Sequence, residues 1–163
     1  MQFLDIGSGV GGVCLLAAVI GGAEATGIEI RRDLHEASME WHRLSAAAIP
    51  SMANALQRQS QRLINQDATS HVSCAQAIQN ADVIFINNKC FDDHSSTQPQ
   101  SLNSRLAFTL QHHMKLGACC ITTAPVATTD GELTQAETFP LPSGSVSWTL
   151  REHFAYLTCR RVK

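Results

Sequence analysis

The sequence is short of almost every feature that marks a specialised protein. No apolar run reaches the ~18 residues of a membrane span. The first residues, MQFLDIG, read as a strand, not as the basic and apolar regions of a signal peptide. These absences predict a soluble, intracellular chain with no membrane partner. Charge of one sign is also missing: 12 Lys and Arg against 14 Asp and Glu leave a net charge of −2. A broad grip on nucleic acid needs many cationic contacts to phosphate, so weak or no autonomous DNA binding is expected. Aromatic residues make up 6% and apolar residues 44%, the composition of an ordinary globular protein. Six cysteines (Cys14, Cys74, Cys90, Cys119, Cys120 and Cys159) show no paired CxxC spacing, which predicts buried structural thiols in a reducing compartment and no zinc site. The seven histidines show no ligand spacing either; the adjacent pair His112 and His113 points to different sides of a helix. No internal repeat is present. One domain spanning residues 1–163 is expected, large enough for its own core.

Periodicity and chain breakers order the elements. An apolar strand Gln2–Ile6 leads into a glycine loop, then an uncharged helical stretch Val10–Ile20 closed by Gly21 and Gly22. A second strand covers Ala25–Ile30, and Arg31 to about Gln59 reads as helical with a break near Pro50. Arg62–Asp67 suits a short third strand. DVIFIN (Asp82–Asn87) and ACCITT (Ala118–Thr123) are the near-continuous apolar runs of strands buried on both faces of a parallel sheet. A helix of roughly Leu102–Lys115, ended by Gly117, lies between them. Asp92–Ser101 and Thr128–Gln135 read as exposed loops. Two strand-like segments, Glu137–Leu141 and His153–Arg161, close the chain without a helix between them. Strands alternating with helices predict an α/β domain with helices on both faces of a mainly parallel sheet.

FLDIGSGVGG places Gly7, Gly9, Gly11 and Gly12 between a strand and a helix, where glycine turns the backbone sharply and admits a ligand to the main chain. Glu29 ends the second strand, where a carboxylate accepts hydrogen bonds from ribose hydroxyls in doubly wound folds. Gly7, Gly9 and Gly12 also fit the GxGxxG fingerprint of dinucleotide-binding proteins, so the glycines alone leave the ligand open. Asp5 favours a cationic ligand over a pyrophosphate, and no later segment suits a nicotinamide. Asp67 follows the presumed third strand, placed either to accept from an adenine amino group or to cap a helix.

Three segments combine: DIGSGVGG (Asp5–Gly12), VIFINN (Val83–Asn88) and GSVSWT (Gly144–Thr149). In this order and spacing they resemble the disruptor-of-telomeric-silencing-one family, the non-SET lysine methyltransferases acting on the globular part of histone H-three. Weaker matches at GIEI, NQDA, MKLGA and FAYL extend the resemblance through essentially the whole chain. It implies a Rossmann-like class I methyltransferase fold, a mainly parallel seven-stranded sheet with an antiparallel final strand. It also implies S-adenosyl-L-methionine as donor, a nucleosome as partner and a nuclear location. By matching position, Phe3, Asp5, Gly7, Ser8, Gly9, Gly11 and Gly12 would wrap the donor's methionine and ribose, and Glu29 would hold the ribose. Asp67 and Ala68 would meet the adenine. Asn87 would sit near the transferring methyl, with Trp148 and Tyr156 lining a narrow lysine channel; apart from the resemblance, Phe91 is a further candidate for an apolar wall. Taken alone, an Asn ending a strand is commonly a turn former, and a Trp or Tyr near a terminal hairpin is commonly core.

The sequence departs from the family at Gly12, where Gln is common, and at Ala68, where an aromatic packs on adenine. Lys89-Cys90 replace Phe-Ala, and Ala155-Tyr156 a Tyr-Tyr pair. The family's helical lobe before the glycine strand and its basic tail have no counterpart here, so either a fragment or an N-terminally shortened core domain, of low activity by itself, is expected. Three functions remain open at this stage: a histone lysine methyltransferase, a class I methyltransferase of another substrate, or a catalytically weak donor-binding relative.

Overall fold

A computed structural model describes residues 1–60, 62–89, 91, 101–126, 133–143 and 153–160. The elements run β1 (Gln2–Ile6), α1 (Gly12–Val19), β2 (Glu24–Glu29), α2 (Arg32–Ala48), a 3-10 turn (Pro50–Met52), α3 (Ala53–Ser60) and β3 (Leu63–Asn65). They continue with α4 (Val72–Asn80), β4 (Val83–Ile86), α5 (Leu102–His113), β5 (Cys119–Thr122), β6 (Leu133–Leu141) and β7 (His153–Arg160). The seven strands form one sheet in the order β3-β2-β1-β4-β5-β7-β6. β1 through β5 pair in parallel, and β7 inserts antiparallel between β5 and β6. The expected mainly parallel sheet with an antiparallel final strand is therefore present.

Sequence and local structure agree closely at β1, at the Pro50 break and at β5. Pro50 opens the 3-10 turn, where its missing N–H costs nothing, and it drives the preceding Ile49 out of the helical region. Three expectations need correction. α1 starts at Gly12 and not at Val10, because Gly9 and Gly11 adopt positive φ on either side of Val10 and no helix passes through them. β6 starts at Leu133, so Leu133–Gln135 is strand and not loop; Leu133 is buried in the core. A further helix, α4, occupies Val72–Asn80, a segment read without any helix. Its cap is His71, whose Nδ1 accepts from the Ser73 N–H at 3.2 Å, in place of the usual Ser, Thr, Asp or Asn.

Alternation along the strands separates two faces. Leu4, Ile6, Ile84, Ile86 and Cys120 join Cys74 and Ile78 of α4 and Leu106, Leu110 and Met114 near α5 in one core cluster. Burying each Leu or Ile side chain contributes about 1.5–3 kcal/mol. On the opposite face, Cys14 of α1 lies against Asp5 of β1, and α2 and α3 pack together. The thiols divide as well. Cys14, Cys74 and Cys120 are buried as expected, whereas Cys119 and Cys159 are half-buried and face each other across β5 and β7 with sulfurs 3.0 Å apart. Among the described residues no group of three His, Cys, Asp or Glu is arranged to hold a metal, and no helix is long and apolar enough to cross a membrane. His112 stacks on Phe108 while His113 meets Gln79, so the pair does point apart.

Candidate donor-binding site

Pairing brings Ile28, Ile6, Ile86, Thr122 and Tyr156 into one row across the sheet. The segments that leave this row at the carboxyl ends of β1, β2 and β4 carry most of the expected site. Ligands of open α/β sheets bind in that position, where the strand order reverses.

The loop after β1 folds back onto β2. The Gly7 and Ser8 N–H groups both donate to the Ile28 carbonyl, at 2.8 and 3.0 Å. Gly11 is the N-cap of α1 with φ of 77°, and a Cβ there would lie 2.8 Å from Ser38 Oγ and 2.9 Å from His42 Cε1. Both neighbours are buried side chains of α2, so the position demands glycine for conformation and for space. A Cβ at Gly7 would come within 3.0 Å of the Phe91 ring, which places the segment after β4 directly over the loop. Gly12 differs: it opens α1, and a Cβ there would meet nothing within 4 Å.

Two carboxylates lie beneath the loop. Glu29, 6% exposed, accepts from the Gly9 N–H and the Arg31 N–H, both at 2.8 Å. Asn65 fixes the backbone there by donating to the Glu29 carbonyl at 2.8 Å. Asp5, 3% exposed, receives only the Cys14 thiol, at 3.9 Å, among the described residues. Burial first, and then the neighbouring Glu29 charge, push the Asp5 carboxyl from 3.8 up to about 7. Neither carboxylate forms an ion pair among the described residues. A buried anion with one weak donor is costly alone, and this pair suits a ligand bearing positive charge and hydroxyl groups.

The remaining candidates scatter more widely. Phe3 sits half-buried in β1, ~13 Å of strand before Gly7. Ser8 packs over Gly27, where a Cβ would be 2.8 Å from Ser8 Oγ; Gly27 had no role assigned from sequence. Asp67 accepts from the Thr69 N–H and hydroxyl, both at 2.8 Å, and pairs with Arg105 at 2.9 Å. Burial would raise its carboxyl, but these donors outweigh burial and hold it below the usual range. Ala68 is part of the core cluster. Asn87 accepts from the Thr123 hydroxyl at 2.9 Å, one strand from the glycine loop. Tyr156 pairs with Thr122, three strands and ~14 Å across from β1. Trp148 lies outside the described residues. Sequence reading also passed over Asn88, whose side chain ties the ends of β4, β5 and α5 together; the repeated Asn of VIFINN was its signal.

This strand order, with a glycine turn after β1 and acidic residues ending β1 and β2, defines a class I S-adenosylmethionine-dependent methyltransferase. Within that class the chain belongs to the DOT1 family of histone methylation proteins, whose model matches residues 1–160. No curated protein matches it in sequence. Among solved structures it is similar to an RNA methyltransferase from Salinibacter ruber in complex with S-adenosyl-L-homocysteine, with TM-score 0.59 and 19% identity over 99% of this chain and 82% of that one. TrmN from Thermus thermophilus gives TM-score 0.63 at 16% identity over 98% of this chain. The glycopeptide N-methyltransferase MtfA, complexed with S-adenosyl-L-methionine, gives 0.53 at 16% over 99%. The chain spans 44% of TrmN and 59% of MtfA. At these identities the likeness establishes the fold.

Proposed function

We propose that this protein methylates a lysine in the globular part of a nucleosomal core histone, acting in the nucleus with little DNA affinity of its own. The family match over residues 1–160 carries this reading. Once bound, S-adenosyl-L-methionine supplies the methyl group as part of a sulfonium. The chain's own groups hold it. Asp5 presents an anion to its positive end, Glu29 has acceptor sites left for ribose hydroxyls, and Asp67 takes the adenine amino group. On the acceptor side, a lysine with ordinary pKa of about 10.4 reacts only as the neutral amine. Apolar walls from Phe91, Tyr156 and Trp148 disfavour its charged form, and Asn87 positions the nitrogen beside the loop.

The test offers radiolabelled donor together with nucleosomes, free core histones, total RNA and small amines. Label on a nucleosomal histone lysine is expected, and Asn87→Ala and Tyr156→Ala should each lower its rate by about tenfold or more with donor affinity unchanged. Label appearing on RNA or small amines with nucleosomes untouched would overturn the reading.

A further inference from the structure

The assigned adenine acceptor is not a free carboxylate. Asp67 Oδ1 is filled by two donors, the N–H and the hydroxyl of Thr69, each at 2.8 Å. Oδ2 takes one donor, Arg105 Nη2 at 2.9 Å, and the same nitrogen reaches Thr69 Oγ1. A carboxylate offers about four acceptor sites, so one remains, on Oδ2. The ion pair is half-buried, with side chains 25% and 27% exposed, so it is neither fully screened by water nor sealed from a ligand. Arg105 itself stands on a fixed base. Ser101 caps α5 by accepting from the Ser104 N–H at 3.1 Å, and Leu106 and Leu110 on the adjoining face are buried. The guanidinium thus reaches from an anchored helix to the loop after β3, 38 residues away in sequence.

We propose that Arg105 is a specificity-determining residue for the donor's base: it clamps Asp67 so that the one open acceptor site meets an exocyclic amino group. The inference rests on the reading of Asp67 as the adenine acceptor. Without Arg105, only the two Thr69 donors on Oδ1 restrain rotation of the carboxyl about its bond, and Oδ2 has no donor of its own among the described residues. With Arg105 in place that rotation is blocked, and the carboxylate stays ionised and aimed. A base lacking the 6-amino group leaves the acceptor unmatched, whereas adenine fills it.

The experiment measures affinity for S-adenosylhomocysteine and for its analogue carrying hydrogen in place of the 6-amino group, with thermal unfolding as a folding check. The original protein should prefer S-adenosylhomocysteine about tenfold or more, the value of a hydrogen bond to a charged group. In Arg105→Ala, and in Arg105→Met, which keeps the apolar stem, that preference should fall to within about twofold through loss of S-adenosylhomocysteine affinity alone. Arg105→Lys should retain part of it. A folded Arg105→Met variant that keeps the full preference, or that loses both ligands equally, overturns the role of Arg105. Absence of any preference in the original protein would instead overturn the reading of Asp67.

Discussion

Asp5, near the end of β1, and Asn88, two residues after the neighbouring β4, have opposite fates. Both are buried polar side chains near the carboxyl end of the sheet, 3% and 1% exposed. Asn88 is complete. Its amide nitrogen donates to Asn103 Oδ1 at 2.8 Å and to the Ala124 carbonyl at 3.1 Å, and its oxygen accepts from the Thr123 and Ala124 N–H groups at 3.0 and 2.8 Å. Asp5 has the Cys14 thiol at 3.9 Å and the repulsion of Glu29. The segment after β4 is thus tied down by the protein itself, while the end of β1 carries an electrostatic cost that a cationic ligand would remove.

The largest effect that would sharpen this contrast is at Asn88. Asn88→Ala strands the amides of Thr123 and Ala124 and opens a cavity, and should destabilise the fold by about 3–5 kcal/mol. Urea unfolding measures it, and a loss under ~1 kcal/mol would show that Asn88 is no keystone.

Gly11→Ala comes next. Left-handed strain of ~1–2 kcal/mol adds to contact with Ser38 and His42. About 2–4 kcal/mol should be lost, together with donor binding. Gly12→Ala, facing open space one residue later, should be nearly neutral in the same unfolding assay.

A smaller effect, of opposite sign, is expected at Asp5. Its carboxyl binds a proton more tightly folded than unfolded, so its contribution to stability is fully present below pH ~4 and is lost as the pH rises through about 7. Asp5→Asn removes that loss and should raise the melting temperature of the ligand-free protein at pH 8 by a few degrees, while leaving it little changed at pH 4–5. Donor affinity should fall in the same variant. A melting temperature lowered at pH 8 would mean that the Asp5 charge is already satisfied without ligand.

The same contrast explains what the sequence made legible. Strands β1, β4 and β5 announce themselves as apolar runs, and Gly7, Gly9, Gly11 and Glu29 lie close enough along the chain to be read as one turn with its acid. α4 escaped because it is only nine residues long and is capped by His71, outside the usual cap residues. Asn88 and Arg105 escaped for a different reason. Their partners lie 15 to 38 residues away, and which polar side chains meet across such distances is decided by packing, not by local pattern. Asn87 and Tyr156 entered by resemblance alone. The fold puts Asn87 one residue past the row, bonded to Thr123 after β5, and Tyr156 on the row itself, three strands from β1.

S-adenosylmethionine is expected to bind where Asp5, Glu29 and the glycine loop meet. Calorimetric titration with S-adenosylmethionine, S-adenosylhomocysteine and NAD, repeated on Glu29→Ala, tests it most directly. Both sulfur ligands should bind, NAD should not bind comparably, and Glu29→Ala should weaken the sulfur ligands by about 1.5–3 kcal/mol while remaining folded. NAD binding as tight as S-adenosylhomocysteine, or an affinity untouched by Glu29→Ala, would contradict it.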